Sequence, residues 1–276
     1  MSLVQPADRP FIHLLLYGDS GAGKSTGAAT FPTPQLVFSF DPVGKELPYL
    51  RRAGSRIDGE TDDGTPYSEI LSTKTGESLV RVEHYIDSDP QQPEAYTRFL
   101  LRLAEMDAEM RSTYEALRAL GSPGAIPHQL IAPAWKTLVI DSVTFMELAA
   151  RKLAQYTLNK NAKDPRQWWG ASTDTLEEVL MFRFGAVRTN VVVIAHADED
   201  KDDVHGFYLR NPRAPGRLRK SLPSAYNEFY RAYVQRTDEG DREYLWQTRS
   251  DNLWNAATQV GAPEPCVPHF SAIWTS

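Results

Sequence analysis

The stretch that most constrains this chain is HLLLYGDSGAGKSTGAAT, residues 13–30. The apolar run FIHLLLY (11–17) breaks at a glycine-rich turn, and STGAATFP (25–32) then reads as the start of a helix closed by Pro32. Gly18, Gly23, Lys24 and Ser25 match the spacing G-x-x-x-x-G-K-[ST]. Glycines let the backbone wrap with its N–H groups turned inward, so an anionic phosphate meets several donors and the positive end of the next helix together. In that pattern residues Gly18, Asp19, Ser20, Gly21, Ala22, Gly23, Lys24, Ser25 and Thr26 form the binding loop. Lys24 reaches the β- and γ-phosphates, and the Ser25 hydroxyl ligates Mg²⁺. A loop of this kind needs a buried strand before it and a helix after it, which points to an α/β fold.

The rest of the chain supplies such a fold. QLVFSFD (35–41), KTLVIDSV (136–143) and NVVVIAHAD (190–198) are further short apolar runs, and helical segments lie between them. Strands buried on both faces and alternating with helices predict a mostly parallel sheet flanked by helices. Residues 93–120 read as a long helix, with Phe99, Leu100, Leu103, Met106, Met110, Tyr114 and Leu117 recurring at three and four residues as a core-packing face. TFMELAARKLAQYTL and residues 174–184 are also helical, and SPGAIPHQLIAPA reads as a linker. The polar, glycine-punctuated stretch 51–80 looks like an insertion or hairpin, with a strand at SLVRVEHYID. GFYLRNPRAPGRLRKS, EFYRAYVQRTD and REYLWQTR read as an antiparallel β extension with a turn at Glu239–Gly240. The expected organisation is one domain over 1–260, with an insertion at about 51–130, and an extended proline-rich tail at 261–276.

Composition narrows the function classes. The 276 residues are 41% hydrophobic and 24% charged, a globular balance. A net charge of −6 argues against coating duplex DNA through bulk positive charge, but leaves room for a local basic patch. Cys266 is the only cysteine, which excludes an intrachain disulfide and a cysteine-built metal site. There is no basic leader followed by an apolar stretch, and no run of about 18 apolar residues. The expectation is a cytoplasmic protein with no membrane partner.

Several residues could carry chemistry. Asp141 ends an apolar strand, where a carboxylate can hold Mg²⁺ or cap the next helix. Asp41 and Glu46 follow the second strand, and either carboxylate could orient an attacking water. His196 ends the fourth strand, positioned to contact a γ-phosphate or to bond backbone. The cluster DEDKDD (198–203) has intervals that match no metal cage and reads as a solvated loop. Arg210, Arg213, Arg217, Arg219 and Lys220 stand together without an acid among them. They suit a nucleic-acid backbone, phosphates across a subunit interface, or a solvated face. Tyr208, Trp168 and Trp169 are either packing residues or platforms for stacked bases.

On YGDSGAGKST, TLVIDSV, VVVIAHADED and QTRSDN, the chain resembles the RecA-like P-loop ATPases, most closely the phage-type AAA-domain nucleotide-binding proteins that include the Sak4 single-strand annealing family. The resemblance covers about residues 10–50 and 130–255. It implies a RecA-like P-loop fold and ATP with Mg²⁺ as cofactors, with Ser25 and Asp141 at the metal and His196 as sensor. It also implies a ring or filament of identical subunits with ATP at their interfaces, acting on single-stranded DNA in a host cytoplasm alongside a single-strand binding protein. Arg249 or an arginine from 210–219 would be an arginine finger. One departure stands out: the family's Asp-x-Glu after the second strand reads Asp41-Pro42-Val43 here, so the usual glutamate base is missing. A monomeric P-loop kinase, with the arginines as a lid, and a non-hydrolysing nucleotide-dependent scaffold stay open beside the ATPase.

Overall fold

The computed structural model describes residues 11–42, 47–119, 134–201, 208–251 and 253–274. Glu46 and nearly all of the linker read at 122–134 fall outside them, as do Asp202 and Asp203. In chain order the first elements are β1 (His13–Gly18), α1 (Lys24–Ala28), β2 (Gln35–Ser39), β3 (Ser55–Glu60), β4 (Pro66–Leu71), β5 (Ser78–His84) and α2 (Ala95–Ala119). Next come β6 (Thr137–Asp141), α3 (Val143–Leu153), α4 (Arg166–Glu177), α5 (Phe184–Ala186) and β7 (Asn190–Lys201). The chain continues through β8 (Tyr208–Pro212), α6 (Leu218–Ser221), β9 (Glu228–Arg236), β10 (Arg242–Gln247), β11 (Ala257–Thr258) and α7 (Phe270–Ile273). One-turn wide helical segments extend α3 over Ala154–Leu158 and join α4 to α5 over Glu178–Arg183.

The strands form one sheet in the order β10-β9-β1-β7-β6-β2-β5-β4-β3, with β8 added to β7 and β11 to β9. From β9 to β5 every neighbouring pair is parallel. This is the mostly parallel, helix-flanked α/β sheet that the apolar runs predict. Side chains alternate between the faces of a strand, so Leu14 and Leu16 join one buried cluster while Leu15 and Tyr17 join the other. One cluster lies under α2, α3 and α4, and the second under α1 and the C-terminal segment.

Three regions differ from the sequence reading in detail. Residues 55–84 extend the central sheet, with β5 parallel to β2, and β4 and β3 added antiparallel. Of the C-terminal β segments, β9 is parallel to β1 and belongs to the core, while β10 and β11 pair with β9 antiparallel, β10 through the Gly240 turn, and β8 pairs with β7 antiparallel. The described part of the tail, 261–274, carries the one-turn α7 and buries Ala262, Cys266 and Ile273, because its apolar side chains cover the face beside Phe31 and Trp246. The α2 face behaves as its spacing predicts over its first half, where Phe99, Leu103 and Met106 are buried. No described helix is long and apolar enough to cross a membrane.

Candidate functional site

The C-terminal ends of β1, β7, β6 and β2 open onto one cleft of about 590 Å³. Its floor is the glycine loop, Ser20 to Thr26. Gly18 has φ +152°, and a Cβ there would stand 2.2 Å from the Ala232 carbonyl oxygen on β9, so no other residue fits where β1 turns. Gly23 starts α1 at φ +79°, in the left-handed region that glycine adopts without penalty. The helix is shorter than STGAATFP suggests: α1 ends at Ala28 and the chain then turns through Thr30 and Phe31. Phosphate attraction therefore falls to the loop amides and to Lys24 more than to a helix dipole. Lys24 is buried, and its Nζ donates to the carbonyls of Gly18 (2.9 Å) and Asp19 (2.7 Å).

Facing the loop are two carboxylates. Asp141, at the end of β6, is fully buried, accepts a 3.0 Å hydrogen bond from the Tyr49 hydroxyl and is hydrogen-bonded by Ser25. Burial and the nearby Asp41 charge push its pKa up to about 6, against the Ser25 and Tyr49 hydrogen bonds and the Lys24 charge. Asp41 follows β2 and accepts 3.0 Å from the Ser142 hydroxyl. Two adjacent acids, one bonded to the loop serine, make a hard-oxygen donor set that fits Mg²⁺. His196 sits beside Gly18 in the β1–β7 register. Its N–H donates to Thr144 Oγ1 (3.1 Å), its ring meets Phe145 edge-on at 5.9 Å, and its carbonyl accepts from the Arg213 N–H (2.7 Å).

The structure thus brings the loop, Asp41, Asp141 and His196 into one cleft. The basic segment is elsewhere and is less bare than its sequence suggests. Arg217 pairs with Asp174 and Glu177, Arg219 with Asp198, and Arg210 with Glu199, all acids distant in sequence or from the 198–203 cluster. Arg213, Lys220 and Arg249 have exposed side chains. Among the described residues no group of three acids, histidines or cysteines forms a metal cage. Trp168 and Trp169 do not join the core: Trp168 donates to the Asn159 carbonyl, and Trp169 is 44% exposed under the Arg151 guanidinium, 4.6 Å from its ring centre. Trp168 is half-buried and Trp169 exposed, so neither is a core residue.

Sequence reasoning missed Tyr49, Arg51, Tyr244 and Pro268, which line or support the cleft. Tyr49 follows Pro48 in a 3₁₀ turn with no recognisable motif. Tyr244 left a faint signal. Residues two apart on a strand share a face, and Tyr244 and Trp246 pack on Gly23 and Gly27, one helical turn apart.

A family model described as AAA domain matches residues 11–258. Among solved structures, a KaiC-like protein from the hyperthermophilic archaeon Pyrococcus horikoshii OT3 is similar at 13% identity and TM-score 0.33, over 87% of this chain and 79% of that one. The ATPase DotB of Legionella pneumophila is similar at 10% identity and TM-score 0.31, over 87% of this chain and 46% of that one. No match is found among curated proteins. With the family model running from β1 through β11 and the phosphate loop intact, the chain belongs to the AAA domain family and is a nucleotide-binding P-loop domain.

Proposed function

We propose that this protein is a Mg²⁺-dependent, RecA-like ATPase that acts on single-stranded DNA as a homo-oligomer, in phage recombination, annealing or repair. The observation that carries the ATPase reading is the facing of Lys24 by Asp141 and Asp41 across one cleft, with Ser25 already bonded to Asp141. Ser25 and Asp141 would hold Mg²⁺, which when bound neutralises charge on the phosphates. Lys24 exchanges the Gly18 and Asp19 carbonyls for phosphate oxygens. Asp41, held by Ser142, takes the proton of the attacking water in place of the missing glutamate. His196 senses the γ-phosphate and passes its state to the basic segment through its carbonyl bond to Arg213.

Support for DNA is electrostatic and aromatic. Exposed Arg213, Lys220 and Arg249 are suited to phosphates, and exposed Trp169 with Arg151 is suited to a stacked base. The test is ATP turnover with and without single-stranded DNA, with oligomeric state followed by light scattering. DNA-stimulated turnover by an assembly is expected, and Lys24→Ala should abolish nucleotide binding. Phosphate transfer to a small acceptor by a monomer would overturn the reading in favour of a kinase.

A further inference from the structure

The cleft has two unlike ends, and the sheet order separates them. Asp141 on β6 lies two strands from β1 on one side, and Tyr244 on β10 lies two strands from β1 on the other. At about 4.8 Å per strand, each stands about 10 Å from the loop's own strand. Both nevertheless line the same cleft. Acids and His196 gather on the β6 side, so the reacting end of a triphosphate belongs there. The opposite end is left for the rest of the nucleotide.

That opposite end is built, and its parts come from outside the parallel core. Arg231 is opposite Tyr17 and Val234 opposite Tyr244, so β9 and β10 run on past the end of β1 and carry Tyr244 to the height of the loop. Its ring rests on the loop, with Cδ1 2.9 Å from where a Gly23 Cβ would stand, and the residue stays 40% exposed. Pro268 lines the same cleft. Cys266 exchanges two backbone hydrogen bonds with Trp246 (2.8 and 2.9 Å), and the Phe270 N–H donates to Thr30 Oγ1 (2.9 Å). The segment carrying Pro268 is thus tied to β10 at Cys266 and to the turn after α1 at Phe270.

We infer that Tyr244 and Pro268 form the base-binding end of the cleft, where the base of a nucleoside triphosphate stacks on the phenol ring and the C-terminal segment closes over it. The assignment rests on the nucleotide reading above. An aromatic face holds any base by stacking, so ATP and GTP bind within a few-fold of each other.

Calorimetric titration of the full chain with ATP and with inorganic tripolyphosphate, both with Mg²⁺, tests the assignment. Tyr244→Ala should weaken ATP about tenfold and leave tripolyphosphate unchanged, while Tyr244→Phe, which keeps the ring, should restore ATP affinity. Equal losses for both ligands would mean that the ring only props the loop, and unchanged ATP affinity would mean that it touches no base. Either result overturns the assignment while leaving the nucleotide reading intact. A wild-type chain that binds neither ligand would remove both.

Discussion

Two buried carboxylates stand at nearly the same height in the sheet, and they have opposite surroundings. Ser39 pairs with Asp141 on one side, and Phe38 pairs with Glu83 on the other, so the two acids flank β2 one residue apart in register. Glu83 is matched by fixed cations: Arg81 Nε at 3.2 Å and Arg102 Nε at 3.3 Å, with the Tyr85 hydroxyl donating at 2.7 Å. Asp141 is met by the hydroxyls of Tyr49 and Ser25 and feels the nearby Lys24 charge, while Lys24 Nζ also donates to the Gly18 and Asp19 carbonyls. Removing one member of a matched buried set leaves uncompensated charge. A buried acid with a raised pKa that lines a cleft is instead the mark of a candidate functional group. Glu83 is held in a matched set within the fold, while Asp141 faces the cleft.

The strongest way to break this contrast is Glu83→Ala, which removes the carboxylate that Arg81 and Arg102 share and leaves them Glu69 and Glu105. It should cost about 3 kcal/mol, the low end for a broken buried pair because both guanidiniums keep another acid, read as a lower midpoint in thermal melts, without changing nucleotide affinity in the folded fraction. Asp141→Asn should do the reverse. Turnover should fall by about 10²–10³-fold, while the nucleotide-free protein melts no lower, and at pH 7 higher, than wild type. A variant that melts lower and keeps turnover would exchange the roles of the two acids.

The pH dependence sharpens the same point. The folded-state pKa of Asp141 lies near 6, above its ordinary 3.8, so the native protein holds that proton more tightly than the unfolded chain does. This contribution to stability is fully present below about pH 3.8 and is lost as pH rises through about 6. Nucleotide-free, magnesium-free protein should therefore gain on the order of 2 kcal/mol from Asp141 between pH 7 and pH 4. Denaturant titrations of wild type and Asp141→Asn isolate the contribution, which should vanish in the variant. The smallest effect is expected from Tyr49→Phe. Losing one hydrogen bond to the carboxylate, worth about 1–3 kcal/mol, should raise the Asp141 midpoint and weaken Mg²⁺-dependent turnover without abolishing it. An unchanged midpoint would mean that Tyr49 does not tune the acid.

Much of the working end was legible beforehand because its signals are local. The glycine spacing requires backbone conformations that few residues adopt, and TLVID ends its apolar run on the very acid that faces the loop. Asp41, too, was placed by the end of its strand. The supporting residues had no such signal. Tyr49 reaches Asp141 across 92 residues of sequence, and Arg102 reaches Glu83 from a helix whose apolar spacing announces its core-facing residues and not the arginine. The arginine segment misled in the other direction: it contains no acid, yet Asp174, Glu177, Asp198 and Glu199 come to it through the fold.

By itself the sequence determined the α/β class, the phosphate loop and the strand-end acids, because short-range sterics and apolar runs buried on both faces leave little choice. Only the tertiary structure decided which acid is matched and which is left facing the cleft. It also brought Tyr244 and Pro268 to the loop. Those outcomes depend on strand order and on contacts between residues far apart in the chain, which no local pattern records.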